Sequence, residues 1–287
     1  MHVTSQVSRI VRILLRRPRP FRSLAWVFLR KMGLLRLLGP LRIRDYLLYP
    51  NPTVLTTWLW QDPDDTVANA EFIKKYLRSG DIYVDVGANI GTTVIPAAKA
   101  VGRRGRVIAF EAHPRIGEYL EENVRLNGLE NVTVCRKAVG EASGTVSFSD
   151  LGNDGRNRVE SKSGGILVEA VPLDSIADLV SQVNLLKVDV EGYEKFVFQG
   201  GVRLLRKTDC ILFELSLRHY GQFHYELCDV VAVLEGAGYQ LYRSSGEGEL
   251  VQLQAGYEQE AGSENAFAIR DVDGFVRRTG YSVEGRS

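Results

Sequence analysis

The chain has 287 residues, 45% of them hydrophobic and 25% charged, a composition that excludes collagen-like and disordered proteins. Its 36 Lys and Arg residues nearly balance its 35 Asp and Glu residues, so the net charge of +1 indicates no preferred partner. That average hides a split, because residues 1–44 carry eleven basic residues and no acid, which leaves 25 basic and 35 acidic residues in the rest. Such asymmetry is a cue to a membrane or a nucleic-acid contact. We therefore divide the sequence into a basic N-terminal extension, residues 1–60, and a main domain, residues 61–287.

The three cysteines are odd in number and far apart, which indicates neither a disulfide framework nor a zinc site. This usage favours a reducing compartment. The apolar run over residues 24–29 is too short for a spanning helix, which needs about 20 residues. It is also too short for the apolar core of a signal peptide. We expect a cytoplasmic protein.

The extension comes first along the chain and contains two apolar patterns. Apolar residues recur at helical spacing over residues 7–14, with arginines on the other side, and less regularly over residues 24–38. Both segments are interpreted as short amphipathic helices that lie on an anionic surface, at the inner face of a membrane. The alternative is that they cap the main domain and that their arginines are solvated.

From residue 81 onward, short β-branched runs alternate with helical patterns, which is typical of βαβ units around a parallel sheet. We predict strands over residues 82–86, 106–111, 132–135, 185–190 and 210–215. Helices are predicted over residues 92–101, 114–127 and 225–237 and from residue 194.

Two further patterns depart from this alternation. The runs at 239–243 and 266–270 lie too close for a parallel crossover and predict an antiparallel pair. Shorter β-like runs at 145–148 and 166–171, around a polar loop at 152–158, predict an excursion off the sheet edge. The predicted fold is α/β, with a Rossmann-like, mostly parallel sheet, an antiparallel end pair and a basic helical extension.

A glycine-containing turn, Asp85-Val-Gly-Ala-Asn-Ile-Gly91, joins the first strand to its helix, where open α/β sheets bind ligands. Asn89 stands where a dinucleotide fingerprint has its second glycine, so the turn suits a pyrophosphate poorly. A carboxylate at Asp85 repels phosphate and suits an ammonium group. Glu111, at the end of the second strand, can accept hydrogen bonds from both hydroxyls of a ribose. Together they indicate a positively charged adenosine ligand, S-adenosylmethionine.

The predicted cofactor-binding residues lie at or just after the ends of the first four strands of the sheet. They are Asp85, Gly87, Ala88, Asn89, Gly91, Glu111, His113, Ala138 and Asp189. The alternative for Gly87 and Gly91 is a tight connection with no ligand.

Four blocks resemble successive motifs of the FkbM-type methyltransferases: residues 81–91 (DIYVDVGANIG), 107–114 (VIAFEAHP), 173–176 (LDSI) and 186–194 (LKVDVEGYE). The resemblance covers roughly residues 65–270 and leaves residues 1–60 outside. It implies a class I methyltransferase fold with a seven-stranded sheet. It also implies O-methylation of a hydroxyl on a sugar, a glycan or a secondary metabolite.

For an alcohol acceptor, a base that removes the proton contributes about 10²–10⁴-fold to the rate. Asp189 and Glu191 follow the fourth strand, and in the family this block lies beside the methyl group and the acceptor. We predict that both position the acceptor or remove its proton. The alternative is a structural ion pair between Lys187 and one of the two carboxylates. His219, in the loop after the fifth strand, is the third predicted catalytic residue, because a histidine of ordinary pKa is mostly neutral at physiological pH. Its alternative is a solvated loop histidine.

A divalent metal would find hard oxygen ligands in Asp189, Glu191 and Glu214, but their spacing does not require one, and no metal is predicted. One alternative function is a nucleic-acid methyltransferase that uses the basic extension. Amine-directed enzymes carry an Asp/Asn-Pro-Pro-aromatic turn after the fourth strand, which Asp189-Val-Glu-Gly192 is not, so a nucleic-acid partner is disfavoured. The other alternative is a binding module for S-adenosylmethionine that has lost its chemistry.

Overall fold

A computed structural model describes residues 20–62, 68–150, 157–160, 165–246, 248–254, 256–259 and 263–284. Its strands are β1 Leu41–Ile43, β2 Tyr46–Leu48, β3 Ile82–Val86, β4 Arg106–Phe110, β5 Val132–Cys135, β6 Ala138–Gly140, β7 Gly144–Phe148, β8 Ile166–Pro172, β9 Val183–Val188, β10 Thr208–Leu215, β11 Gln240–Gly246, β12 Glu249–Gln252, β13 Glu264–Ile269 and β14 Ser282–Val283. Its α-helices are α1 Pro20–Lys31, α2 Val54–Gln61, α3 Ala68–Tyr76, α4 Val94–Val101, α5 Pro114–Leu126, α6 Glu194–Gln199, α7 Val202–Leu205, α8 Leu217–Tyr220, α9 Leu227–Gly236 and α10 Val272–Thr279.

The chain divides into two compact units between Thr66 and Val67. The predicted boundary between residues 60 and 61 falls inside the last turn of α2, so the structural division lies a few residues further on.

The first unit contains α1, the antiparallel pair β1–β2 and α2. Trp26 of α1 is 1% exposed and stacks on Trp60 of α2, with ring centroids 5.8 Å apart. The indole nitrogen of Trp60 donates to the carbonyl of Arg22 at 2.9 Å. The second predicted amphipathic segment thus contains a helix, α1, followed by a 3₁₀ turn at Leu35–Leu38. The first, over residues 7–14, lies outside the described residues.

The second unit is built on a central sheet with the strand order β14-β12-β11-β13-β10-β9-β3-β4-β5. The strands β5, β4, β3, β9 and β10 pair in parallel, whereas β13 runs antiparallel to both β10 and β11. The prediction of a mostly parallel sheet that finishes with an antiparallel pair is confirmed.

Alternate residues of the parallel strands pack into two separate apolar clusters, one on each face of the sheet. Val84 and Ile211 belong to the first cluster, and their chain neighbours Tyr83 and Cys210 belong to the second. Strands that are covered on both faces have near-continuous apolar sequences, and for this reason these strands could be predicted from the sequence.

The predicted excursion is a smaller sheet with the order β6-β8-β7, in which β8 pairs in parallel with β6 and antiparallel with β7. Most of the polar loop at 152–158 lies outside the described residues. Pro96 is the third residue of α4, where its missing N–H costs no intrahelical hydrogen bond. Among the described residues, no helix is both long and apolar enough to cross a membrane.

Candidate active site

The turn after β3 lies against the backbone that follows β4 and β9. The amides of Gly87 and Ala88 both donate to the carbonyl of Phe110, at 3.0 and 2.9 Å. Gly87 has a φ of +86°, and a Cβ at this position would lie 1.8 Å from the carbonyl oxygen of Asp189. Only glycine fits here, because any side chain would force the turn away from the end of β9.

Glu111 lies directly after β4 and holds the adjoining backbone. Its carboxylate accepts hydrogen bonds from the amide of Asn89 at 2.9 Å and from the amide of His113 at 2.8 Å. Burial raises the pKa of Glu111 to about 7, because the side chain is only 7% exposed. An ionised carboxylate has about four acceptor sites, so two backbone donors leave capacity for the hydroxyls of a ribose.

His113 and Ala138 lie near this end of β4. His113 caps α5, accepting at Nδ1 from the amide of Ile116 at 3.4 Å, while its Nε2 lies 3.1 Å from Asp150 Oδ1. Ala138 opens β6 and packs with Phe148, whose ring centroid lies 6.5 Å from that of His113. Both residues flank the predicted adenosine position, and their role there stays a prediction.

Asp85 is not at the ligand surface. The side chain is 0% exposed, and it accepts hydrogen bonds from the hydroxyls of Tyr83 at 2.8 Å and Thr93 at 2.6 Å. Lys187 Nζ lies 3.4 Å from Asp85 and 3.1 Å from Asp189. The expectation that Asp85 meets the cofactor's ammonium directly is corrected, because a cation and two hydroxyls of the protein already surround it.

Lys187 carries the charge that makes this arrangement stable. Burial by itself lowers its pKa, but the carboxylates of Asp189 and Asp85 more than offset that effect and hold the pKa above its usual value. The side chain of Asp189 is 37% exposed, so Asp189 is the partner of Lys187 that reaches the surface. Lys187 thus links the glycine turn to the predicted catalytic segment.

Glu191 and His219 are brought together from two different loops. Glu191 follows β9 with a φ of +56°, and its Oε2 lies 3.4 Å from Nδ1 of His219 in α8. Gly192 has a φ of +102°, and a Cβ there would lie 2.7 Å from the Cβ of His219. The two side chains are partly buried, 18% and 22% exposed.

Glu214, at the end of β10, completes a group with Glu191 and His219. One possible ligand atom from each of the three lies within 4.8 Å of the others. Such a set of carboxylates and an imidazole could hold a divalent cation. This group differs from the three possible metal ligands named in the sequence analysis, because it contains His219 and does not contain Asp189.

Glu194 was missed as a site residue, although it stands three residues after Glu191. It is 0% exposed, and its Oε1 accepts from the amides of Val190 at 3.1 Å and Gly192 at 3.3 Å. The hydroxyl of Tyr225 lies 3.4 Å from Oε2 and donates to the carbonyl of Gly192 at 2.8 Å. Glu194 therefore holds the turn that presents Glu191. A third acid inside a motif that already has two, Asp189 and Glu191, is the sequence signal that could have found it.

Glu194 also makes stability depend on pH. Burial, followed by the like charge of Glu214, raises its pKa to about 8 from 4.5. The folded state then keeps a proton that the unfolded state releases, so this stability is fully present below about pH 4.5 and lost as the pH rises through about 8. We expect the urea unfolding free energy to be smaller at pH 8.5 than at pH 5 and Glu194→Gln to reduce that difference. The exposed Glu130→Gln is the control and should show the same difference between the two pH values as the wild type. If Glu194→Gln also shows that difference unchanged, the pH dependence of stability does not come from Glu194.

The strand order and the ligand edge define the class of protein. The five parallel strands have β3 at their centre, β13 is inserted antiparallel between β10 and β11, and the glycine turn and Glu111 follow β3 and β4. This is the sheet of a class I methyltransferase, as predicted, but it has nine strands and not the seven that the resemblance implies, because β12 and β14 extend it beyond β11. The family model of the methyltransferase FkbM domain matches residues 85–241, more than half of the chain. The chain belongs to the FkbM methyltransferase family.

Three known proteins illustrate what the chain is similar to. Hexuronic acid methyltransferase AglP of Haloferax volcanii is 31% identical over 140 residues, which cover 47% of this chain and 56% of AglP. The matched part of the chain thus spans about half the length of that relative. A putative rRNA methylase of Clostridium thermocellum aligns with a TM-score of 0.45 at 12% identity, covering 70% of this chain and 92% of the methylase. Aeropyrum pernix fibrillarin, with S-adenosyl-L-methionine bound, aligns with a TM-score of 0.41 at 16% identity, covering 68% of each chain.

S-adenosylmethionine is the cofactor that membership of the FkbM methyltransferase family leads us to expect. The described residues fit it, because Glu111 holds the glycine turn through the amide of Asn89 and keeps acceptor capacity for ribose hydroxyls.

Proposed function

We propose that this methyltransferase transfers the methyl group to a hydroxyl oxygen of a sugar, a glycan or a secondary metabolite. The observation that carries the proposal is the pair formed by Glu191 Oε2 and His219 Nδ1, 3.4 Å apart. The pair follows the neighbouring strands β9 and β10, at the edge where α/β sheets bind ligands. A hydroxyl must lose its proton when its oxygen is methylated, and a carboxylate–imidazole pair can accept that proton.

The similarity to AglP supports a sugar-type acceptor. AglP is a hexuronic acid methyltransferase, and the 140 matched residues are 31% identical to this chain. A sugar presents several hydroxyls of similar acidity. A base fixed in one place therefore selects which of them is methylated, through orientation.

S-adenosylmethionine, which Glu111 would hold, would supply a methyl group on a sulfonium. Transfer to the acceptor oxygen would break the carbon–sulfur bond, leave S-adenosylhomocysteine and release the hydroxyl proton. The residues of the chain hold the partners and receive that proton. Glu191 favours the tautomer of His219 that carries a proton on Nδ1, which leaves Nε2 to accept the hydroxyl proton. The negative charge of Glu191 then stabilises the imidazolium that forms. Asp189, which Lys187 holds, orients the acceptor.

The role proposed for Glu111 predicts a pH dependence of cofactor binding. The ionised carboxylate accepts from the ribose hydroxyls, and burial raises its pKa to about 7. The affinity for S-adenosylmethionine should therefore increase as the pH rises through about 7 and level off above it, because protonation removes acceptor sites. Calorimetry at pH 5.5, 7 and 8.5 measures this trend. Glu111→Gln should bind more weakly and lose the trend, and a trend that persists in this variant would assign it to another group.

Labelled cofactor tests the proposed acceptor class. The protein is incubated with S-adenosylmethionine that carries a radioactive methyl group and with separate fractions of soluble sugars, lipid-linked glycans, small metabolites, protein and nucleic acid. We expect label in a carbohydrate or metabolite fraction with the wild type and none with Glu111→Ala, which cannot hold the ribose. Label in protein or nucleic acid alone would contradict the proposal. If the protein binds S-adenosylmethionine but transfers no label to any fraction, it is a binding module and not an enzyme.

A further inference from the structure

The first unit exposes an unusual amount of large apolar surface in one short stretch. Phe28 is 64% exposed and Leu37 is 74% exposed, and Met32 and Leu34 between them are also exposed. These four residues are called here the exposed apolar segment. Leu35, in the same stretch, is 5% exposed and packs inward, so the segment is folded with four side chains directed to solvent. Four large apolar side chains exposed within ten residues of a folded segment indicate an interaction site.

Cations surround the exposed apolar segment. Arg30, Lys31 and Arg36 alternate with its apolar members and are exposed, and no acid occurs before Asp45. Arg36 also lies over the ring of Tyr49, 4.2 Å from its centroid. The partner of this surface must therefore accept apolar side chains and positive charge within the same few residues.

We propose that the exposed apolar segment inserts into the interface of an anionic lipid bilayer, with Arg30, Lys31 and Arg36 at the headgroups. Basic amphipathic surfaces bind bilayers in this way, by burying apolar side chains at the acyl boundary and by attraction to anionic lipid. A second copy of the chain is disfavoured, because a symmetric contact would bring the same three cations together. Nucleic acid is disfavoured as well, because three of the four apolar side chains are aliphatic and offer no stacking platform.

Vesicle binding by the full chain tests the proposal. Sedimentation is measured with vesicles of 30% phosphatidylglycerol in phosphatidylcholine and with vesicles of phosphatidylcholine alone. We expect binding to the anionic vesicles, weakened by high salt, and little binding to the neutral ones. Arg30→Gln with Lys31→Gln should weaken binding by roughly 30-fold, because each basic residue near such a surface contributes about fivefold.

A pair of matched variants separates the segment from apolar exposure in general. Phe28→Ser with Leu37→Ser removes the two most exposed members of the segment, and Leu167→Ser with Leu179→Ser removes two side chains that are 76% and 61% exposed elsewhere. We expect loss of vesicle binding in the first pair only. All variants should keep the near-ultraviolet circular dichroism of the wild type, which reports on the stacked Trp26 and Trp60 of the first unit and so shows that this unit folds.

Three results would overturn the proposal. They are equal binding to neutral and anionic vesicles, unchanged vesicle binding in Phe28→Ser with Leu37→Ser, and a concentration-dependent dimer that this double substitution abolishes. The last result would assign the segment to a contact between two copies.

Discussion

Replacing Glu191 by Gln or His219 by Asn is expected to lower the turnover number by about 10²–10⁴-fold, the usual contribution of a positioned base. The Kd for S-adenosylmethionine should stay within about twofold of the wild type, because neither side chain is proposed to touch the cofactor's ribose. Turnover by single-turnover kinetics and Kd by calorimetry separate the two quantities. Because Glu191 Oε2 and His219 Nδ1 lie 3.4 Å apart and are proposed to act as one unit, the double substitution should cost little more than either single one.

His224→Asn is the matched control for this pair. His224 is exposed, follows His219 by five residues and has a φ of +56°, a conformation that asparagine tolerates. Turnover should be unchanged in this variant. If turnover also persists in Glu191→Gln and His219→Asn, another group removes the proton, or the hydroxyl loses it to water.

Replacing Lys187 by Met is expected to lower the free energy of unfolding by about 3–5 kcal/mol, because it leaves Asp85 as a buried charge without its cation. The hydroxyls of Tyr83 and Thr93 still donate to Asp85, which favours the lower part of this range. In a domain of this size the thermal midpoint should fall by roughly 10 °C. Urea and thermal unfolding measure the loss.

Two further variants show whether the loss comes from the buried charge. Asp85→Asn combined with Lys187→Met removes both charges and should recover most of the stability. Lys137→Met breaks the exposed ion pair with Glu169, whose side chain is 59% exposed, and should cost less than about 1 kcal/mol. Equal losses in Lys187→Met and Lys137→Met would contradict the importance given to the buried ion pair.

The parallel strands could be predicted from sequence because both faces of the sheet are buried. The runs at β3, β4, β9 and β10 are mostly apolar, which is typical of strands buried on both faces, and each is followed by a helical pattern. The small strands were harder to predict. For example, β14 has two residues and β6 has three, too few to carry a pattern of their own.

The position of a site residue could be predicted where it follows directly from the end of the strand that carries it, as for Glu111 after β4. Contacts between site residues could not be predicted where they depend on which strands pair in the sheet. Asp85 and Lys187 pair because β3 and β9 lie side by side in a register that sets these residues opposite each other. The 3.4 Å approach of Glu191 to His219 likewise requires the left-handed backbone at Glu191 and the close contact at Gly192, which no local pattern encodes.

The identity of the atom that receives the methyl group tests the central claim most directly. The wild type is incubated with S-adenosylmethionine labelled with ¹³C in its methyl group and with the fraction that becomes labelled, and the product is analysed by two-dimensional NMR. The proposed function predicts a methyl carbon bonded to oxygen and correlated with a proton on the carbon that carried the hydroxyl. The same product should form about 10²–10⁴-fold more slowly with His219→Asn. A methyl group bonded to nitrogen or to carbon would contradict it.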